Sequence, residues 1–263
     1  MTQEFGGGAP QASYRRILDR ITSSLDATTH NILNLAAILG HRLNDLNMNA
    51  IVDISAGQTM SGMAELVARR VLRDGTYGLE FVNEMVRAAA YMGVSATLRK
   101  ILHGKIVDRF VEEHSRGEDS LGLEIAWHCT RAGRLAEATP YLLRGAREAI
   151  RSGSPYSAER GLATALHDLS EPDKTEALVL LAEALQEQSR WEESLAALDQ
   201  MSVLELSNSA NLAIVLRTKA RRRLGYIETE ELAGLPEKLL AFIESSVDNS
   251  SRIRAAVEAA SVL

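Results

Sequence analysis

Beyond residue 116 the chain is a train of short helical segments, each carrying a single apolar stripe and most ended by a tight turn. The spacing predicts helices over 121–132, 135–151, 155–169, 174–189, 191–201, 210–224, 229–245 and 251–263. Leu178, Leu181 and Leu185 form one stripe, and Leu195 and Leu198 another; Ala132-Gly133, Ser152-Gly153-Ser154 and Gly225 supply turns. A helix with one apolar face cannot hide it alone, whereas stacked antiparallel pairs can. Aromatic residues make up only 5 % of a chain that is 46 % hydrophobic, with five prolines. That balance favours helices packed through small and aliphatic side chains over a β-sandwich.

A weak internal repeat runs through this region. GRLAEATPYLL, SPYSAERGLATAL and RWEESLAALDQ each place a small residue (Ala138, Ala158, Ser194) four positions before a large apolar one (Leu142, Leu162, Leu198). The small residue lets two helices approach and the large one fills the gap beside it. The step from Ala158 to Ser194 is 36 residues, near the ~34 of a tetratricopeptide repeat. The step from Ala138 to Ala158 is 20, so the register is irregular. The final VEAASVL is apolar and lacks a polar cap, which predicts that the array continues past it.

The first half reads differently. Residues 1–13 are Gly-rich and predict a flexible leader. Residues 14–43 predict two helices, with caps at 22–26 and Ile32, Leu35, Ala36 and Leu39 recurring before Gly40. A short helix over 46–54 and a turn at Ala56-Gly57 precede a helix over 60–72 carrying Met63, Leu66, Val67 and Arg70. Asp74-Gly75 signals a turn, and Tyr77, Leu79 and Phe81 alternate as a strand. Three helices followed by a strand or small hairpin is the winged helix-turn-helix plan. Residues 82–115 then form a helical connector, with Leu98, Ile101, Leu102, Ile106 and Phe110 on one face; 116–120 is a polar link and the domain boundary.

Charge and cysteine usage narrow the function classes. Residues 1–115 hold 12 basic and 12 acidic side chains, whereas 116–263 hold 17 and 23, so the net −6 lies wholly in the second half. An acidic surface is a poor match for a phosphate backbone. A lone cysteine, Cys129, forms no internal disulfide and fits a reducing cytoplasm. Apolar runs fall far short of the ~20 residues of a membrane span, and the N-terminus lacks the pattern of a signal peptide.

Two segments carry a family likeness. FVNEMVRAAAY (81–91) and SATLRKILHGKIV (95–107) resemble the region after the winged helix in STAND-type signalling ATPases, notably large LuxR-type bacterial regulators with tetratricopeptide repeats. The family form is roughly F-x-H-x-L-[IV]-R-x-A-x-Y, then S-x-x-x-R-x-x-L-H-x-x-[IV]-A. This chain supplies Phe81, Met85, Val86, Arg87, Ala89 and Tyr91, then Ser95, Arg99, Leu102, His103 and Ile106. The likeness covers residues 22–200. It implies a winged helix packed on a nucleotide-binding core that holds an ADP-bound state. The position where the family places a nucleotide-approaching histidine is Asn83 here, with Arg87 one turn on. Asn can donate to a phosphate oxygen but carries no positive charge.

The sequence contains no G-x-x-x-x-G-K-[ST]: Gly6-Gly7-Gly8 lacks the following Lys-Ser/Thr. The chain is therefore expected to be non-enzymatic and to hold no cofactor itself, ATP or ADP belonging to a larger parent protein.

Several residues have a sharp and a plain reading. Arg69, Arg70 and Arg73 stand where a DNA-reading helix would end; they are either phosphate contacts or cations favoured at a helix C-terminus. Arg221, Arg222 and Arg223 invite the same choice. Trp127, Tyr141, Tyr156 and Trp191 fall at repeat junctions, where they line a peptide groove or fill gaps between helix pairs. The six histidines show no metal-ligand spacing, and His103 and His128 are expected at helix interfaces with one ring nitrogen satisfied.

The fold class that follows is mainly α: a winged-helix-like unit over 14–81, a connector over 82–115 and a tetratricopeptide-like α-solenoid of antiparallel helix pairs over 116–263. The expected function is regulatory, with a protein or small effector on the repeat face and an ATPase module in cis or trans as partners. The alternative is a winged-helix DNA-binding transcription factor whose repeats bind an effector or oligomerise.

Overall fold

A computed structural model describes residues 8–40, 43, 48–114, 121–201 and 208–226. The described chain is mainly helical, with one two-stranded antiparallel hairpin. It divides into two compact units. One comprises residues up to Arg116 together with His128–Arg134, and the other comprises Gly117–Trp127 together with the chain from Leu135.

The first unit opens with α1 (Gly8–Thr22), α2 (Ala27–Leu39), α3 (Met48–Val52) and α4 (Ala56–Ala68). Asp26 caps α2 by accepting from the Thr29 N–H, and Gly40 closes it at φ 58°. Everything from Ile32 to Leu39 on α2 is buried. α4 crosses α2 closely because residue 62 is glycine: a Cβ there would lie 2.4 Å from Ile32 Cδ1. α1 packs on α5 (Glu84–Gly93), with Tyr14, Ala88 and Ala89 buried together. α6 (Ala96–His114) completes this unit's long helices.

Local chemistry moved several boundaries. Residues 8–13, expected in a flexible leader, are already helical. Pro10 sits in the first turn of α1, where its missing N–H has no intrahelical partner to lose. Ala56-Gly57 is the start of α4 and not a separate turn, because Ser55 and Gln58 form a reciprocal capping box. α4 stops at Ala68, before the expected residue 72, and Arg70 then takes φ 57°. β1 (Leu72–Gly75) pairs with β2 (Gly78–Phe81) in the register Leu72↔Phe81 and Gly75↔Gly78. The reversal is therefore at Thr76-Tyr77, two residues beyond Asp74-Gly75. Tyr77, expected in the strand, is the 94 % exposed tip of the hairpin.

In the second unit the apolar stripes form the helices they predicted. α7 (Gly122–Ala132, with its first half in this unit) is followed by α8 (Leu135–Arg151), α9 (Pro155–Ala165), α10 (Asp173–Glu187), α11 (Trp191–Leu198) and α12 (Asn208–Arg223). From α8 onward each helix packs on the next, and α10 also meets both α8 and α12. α10 is consequently buried almost all round, from Ala177 to Gln186. Ala138, Ala158 and Ser194 are buried, as are Leu142, Leu162 and Leu198 four residues on. One close approach uses no side chain at all: a Cβ on Gly145 would sit 2.4 Å from the Leu123 nitrogen. The expected helices at 229–245 and 251–263, and the link at 116–120, lie outside the described residues.

Candidate functional site

Two histidines meet inside the first unit. On α6, Leu102, Ile106, Val107 and Phe110 form a buried face, and His103 stands among them fully buried. His128, on the half of α7 that belongs to the same unit, is 2 % exposed. Their Nδ1 atoms lie 2.8 Å apart. Two imidazole nitrogens at this distance must share one proton, one donating and the other accepting.

Tyr91 and Arg131 bear on where that proton sits. Tyr91 Oη on α5 lies 3.3 Å from His103 Nε2, and Arg131 Nη1 donates to the same phenol oxygen at 3.5 Å. One arrangement that uses every one of these groups has Arg131 donating to the phenol oxygen and the tyrosine O–H donating to Nε2. His103 then carries its proton on Nδ1 and donates to His128 Nδ1. The chain runs Arg131, Tyr91, His103, His128. Arg99 lies over the Tyr91 ring at 5.2 Å, and the Phe110 edge meets His128 with ring centroids 5.7 Å apart.

Burial pushes the His103 imidazole down to about 3, and the Arg131 and Arg99 guanidiniums push the same way. The ring is therefore neutral at physiological pH. A neutral imidazole pair can hold, orient or pass a single proton. Among the described residues no group of three or more His, Cys, Asp or Glu gathers as metal ligands.

The residues singled out by resemblance have structural employment. Asn83 is the N-cap of α5, its Oδ1 accepting from the Val86 N–H at 2.9 Å. Arg87 is paired with Glu84, holding that carboxyl below its ordinary value, and donates to the Ala37 carbonyl at 3.0 Å. Its charge therefore faces the C-terminal end of α2, where unpaired carbonyls concentrate negative potential.

The three arginines near the hairpin do not form one patch of free cations. Arg69 pairs with Glu65 and donates to the Ser23 and Ser24 carbonyls, tying the end of α4 to the turn before α2. Arg73 pairs across the hairpin with Glu80 at 2.7 Å. Arg70 is exposed at its positive φ.

The repeat-junction aromatics are spread over α7, α8, α9 and α11. Trp127 and Tyr141 are half-buried, the latter beneath Arg144 at 5.1 Å. Tyr156 is 67 % exposed. Trp191 is half-buried, with Lys219 and Arg223 of α12 at 5.8 and 5.7 Å from its ring. Arg221 donates to the Tyr226 carbonyl just past the end of α12.

The histidine pair escaped sequence reasoning as a unit because its members are 25 residues apart and each merely interrupts an apolar helix face. Both ring nitrogens of His103 are engaged, where one was expected. The available signal was two polar rings at core-facing positions of successive helices.

No protein-family model, no curated protein and no solved structure matches the chain. No helix among the described residues is long and apolar enough to cross a membrane.

Proposed function

We propose that the chain is a non-catalytic regulatory region. In this reading a tetratricopeptide-like array of helix pairs receives a protein or small effector, and a winged-helix-like unit relays that state to an ATPase module, as in STAND-type and LuxR-type regulators. The observation that carries it is the serial packing of α8 to α12 through small buried residues, with α10 meeting both α8 and α12. Such quasi-linear stacks bind ligands along an extended face and respond to them as a whole. The run of α2, α3, α4 and hairpin into α5 is the order of elements a winged-helix unit uses. Cys129, the only cysteine in the sequence and buried, suits a cytoplasmic setting.

An effector acts on such a relay only through its preference for one of two conformations, by a few kcal/mol. The reading is tested by purifying the protein from its native host together with whatever is joined or bound to it, and analysing it for bound nucleotide. ADP released from that protein, with no turnover by residues 1–263 alone, is the expected result. Hydrolysis of ATP by the chain alone overturns it.

The DNA-binding alternative has less support, since Arg69 and Arg73 are held by internal carboxylates and carbonyls. Duplex binding that weakens steeply with salt and vanishes in the Arg69→Glu, Arg70→Glu, Arg73→Glu triple variant would replace the regulatory reading with that one.

A further inference from the structure

The buried histidines are more than gap-fillers, because apolar side chains would fill that seam without a hydrogen-bonded chain leading out of it. We propose that Tyr91, His103 and His128 form an acid-operated latch, in which the shared Nδ1 proton holds residues 128–134 against α6 and entry of a second proton releases them.

The geometry supplies each part. With one proton between them, the two Nδ1 atoms attract at 2.8 Å. With two, both rings present an N–H group at that contact, one of them on an imidazolium, and two donors face each other with no acceptor between them. The groups that act on His103 come from all three helices: Tyr91 from α5, Arg99 from α6 itself, and His128 and Arg131 from α7. Arg131 and Arg99 are cations and oppose the extra proton on His103 while the latch is shut. Once the seam opens, water takes over the imidazoles and protonation becomes ordinary. Opening is thereby coupled to acid.

The test is hydrogen exchange of the amides over 128–134 in the intact chain, corrected for the intrinsic pH dependence of exchange, at pH 7.5 and pH 5. One imidazole with an ordinary value near 6.5 in the open state gives about thirtyfold faster opening at pH 5. The His103→Gln, His128→Asn double variant keeps polar groups but cannot take up the proton, and should show no such acceleration. Equal acceleration in the variant, or none in the wild type, overturns the proposal. If the variant fails to fold, nitrogen chemical shifts of the wild-type rings decide. A neutral pair at pH 6 with His103 protonated on Nδ1 sustains the latch, and ordinary titration of His103 near 6.5 in the folded protein ends it.

Discussion

The seam between α6 and the second half of α7, and the seam between the start of α7 and α8, meet the same packing demand by opposite means. The first interposes two imidazoles whose Nδ1 atoms touch at 2.8 Å. The second dispenses with side chains: Gly122 and Gly145 let backbone lie on backbone, and a Cβ on Gly122 would be 2.8 Å from the Gly145 Cα. A polar seam demands one protonation state and one geometry, so it answers to conditions. A glycine seam depends on volume alone, and acid leaves it indifferent. The regulatory reading draws on both kinds, a stack that keeps its shape and a joint that can be altered.

The largest expected effect lies on the glycine side. Gly145→Val puts new atoms where Leu123 nitrogen and the Gly122 carbonyl carbon already stand, at 2.4 and 2.7 Å, and both are backbone. We expect a loss of upwards of about 3 kcal/mol in the second unit, read by denaturant unfolding followed through exchange of α8 amides. Retention of wild-type stability would mean that α7 and α8 do not approach so closely.

The histidine side should respond to pH instead. Unfolded His103 binds a proton below about 6.5, whereas the folded ring resists one until about 3. The unfolded state therefore holds more protons throughout that window, and stability falls as pH drops across it, by up to about 1.4 kcal/mol per pH unit for this one ring. Thermal unfolding of His103→Leu, a variant with no ring to titrate there, should be flatter between pH 6.5 and 4.5 than that of the wild type. Parallel curves would show that the seam's polarity has no thermodynamic consequence.

Smaller effects refine the contrast. Asn83→Ala removes the cap of α5 and should cost the first unit about 1 kcal/mol, with Asn83→Asp close to neutral. A far larger effect on bound nucleotide than on stability would instead assign Asn83 a sensing role. Arg73→Ala breaks an exposed pair with Glu80 and should change stability by no more than about 0.5 kcal/mol.

How much of this was legible depends on how local the cause is. The helices of the second unit were readable because single stripes such as Leu178, Leu181 and Leu185 set both period and face, and α10 spans Asp173–Glu187 where 174–189 was expected. The hairpin turn was misplaced because Asp74-Gly75 is a strong turn pair in isolation, yet the register set by Leu72↔Phe81 carries both residues into β1. The start of α4 was missed because the capping box is a reciprocal contact between Ser55 and Gln58, which outweighed the Ala-Gly pair that follows. Gly145 and the histidine pair could not be read locally at all. Each matters only through a partner more than twenty residues away, and in isolation a helical glycine or a histidine on an apolar face looks like a defect.

Trp191 has a practical corollary. Its indole is one of two in the chain, and Lys219 and Arg223 place two positive charges beside the ring. Indole emission shifts in colour with the electric field across it, so drawing α12 away from α11 would strip both charges at once and change the fluorescence. The α11–α12 pair thus carries its own unlabelled optical gauge, and Trp127→Phe would leave that signal alone in the spectrum.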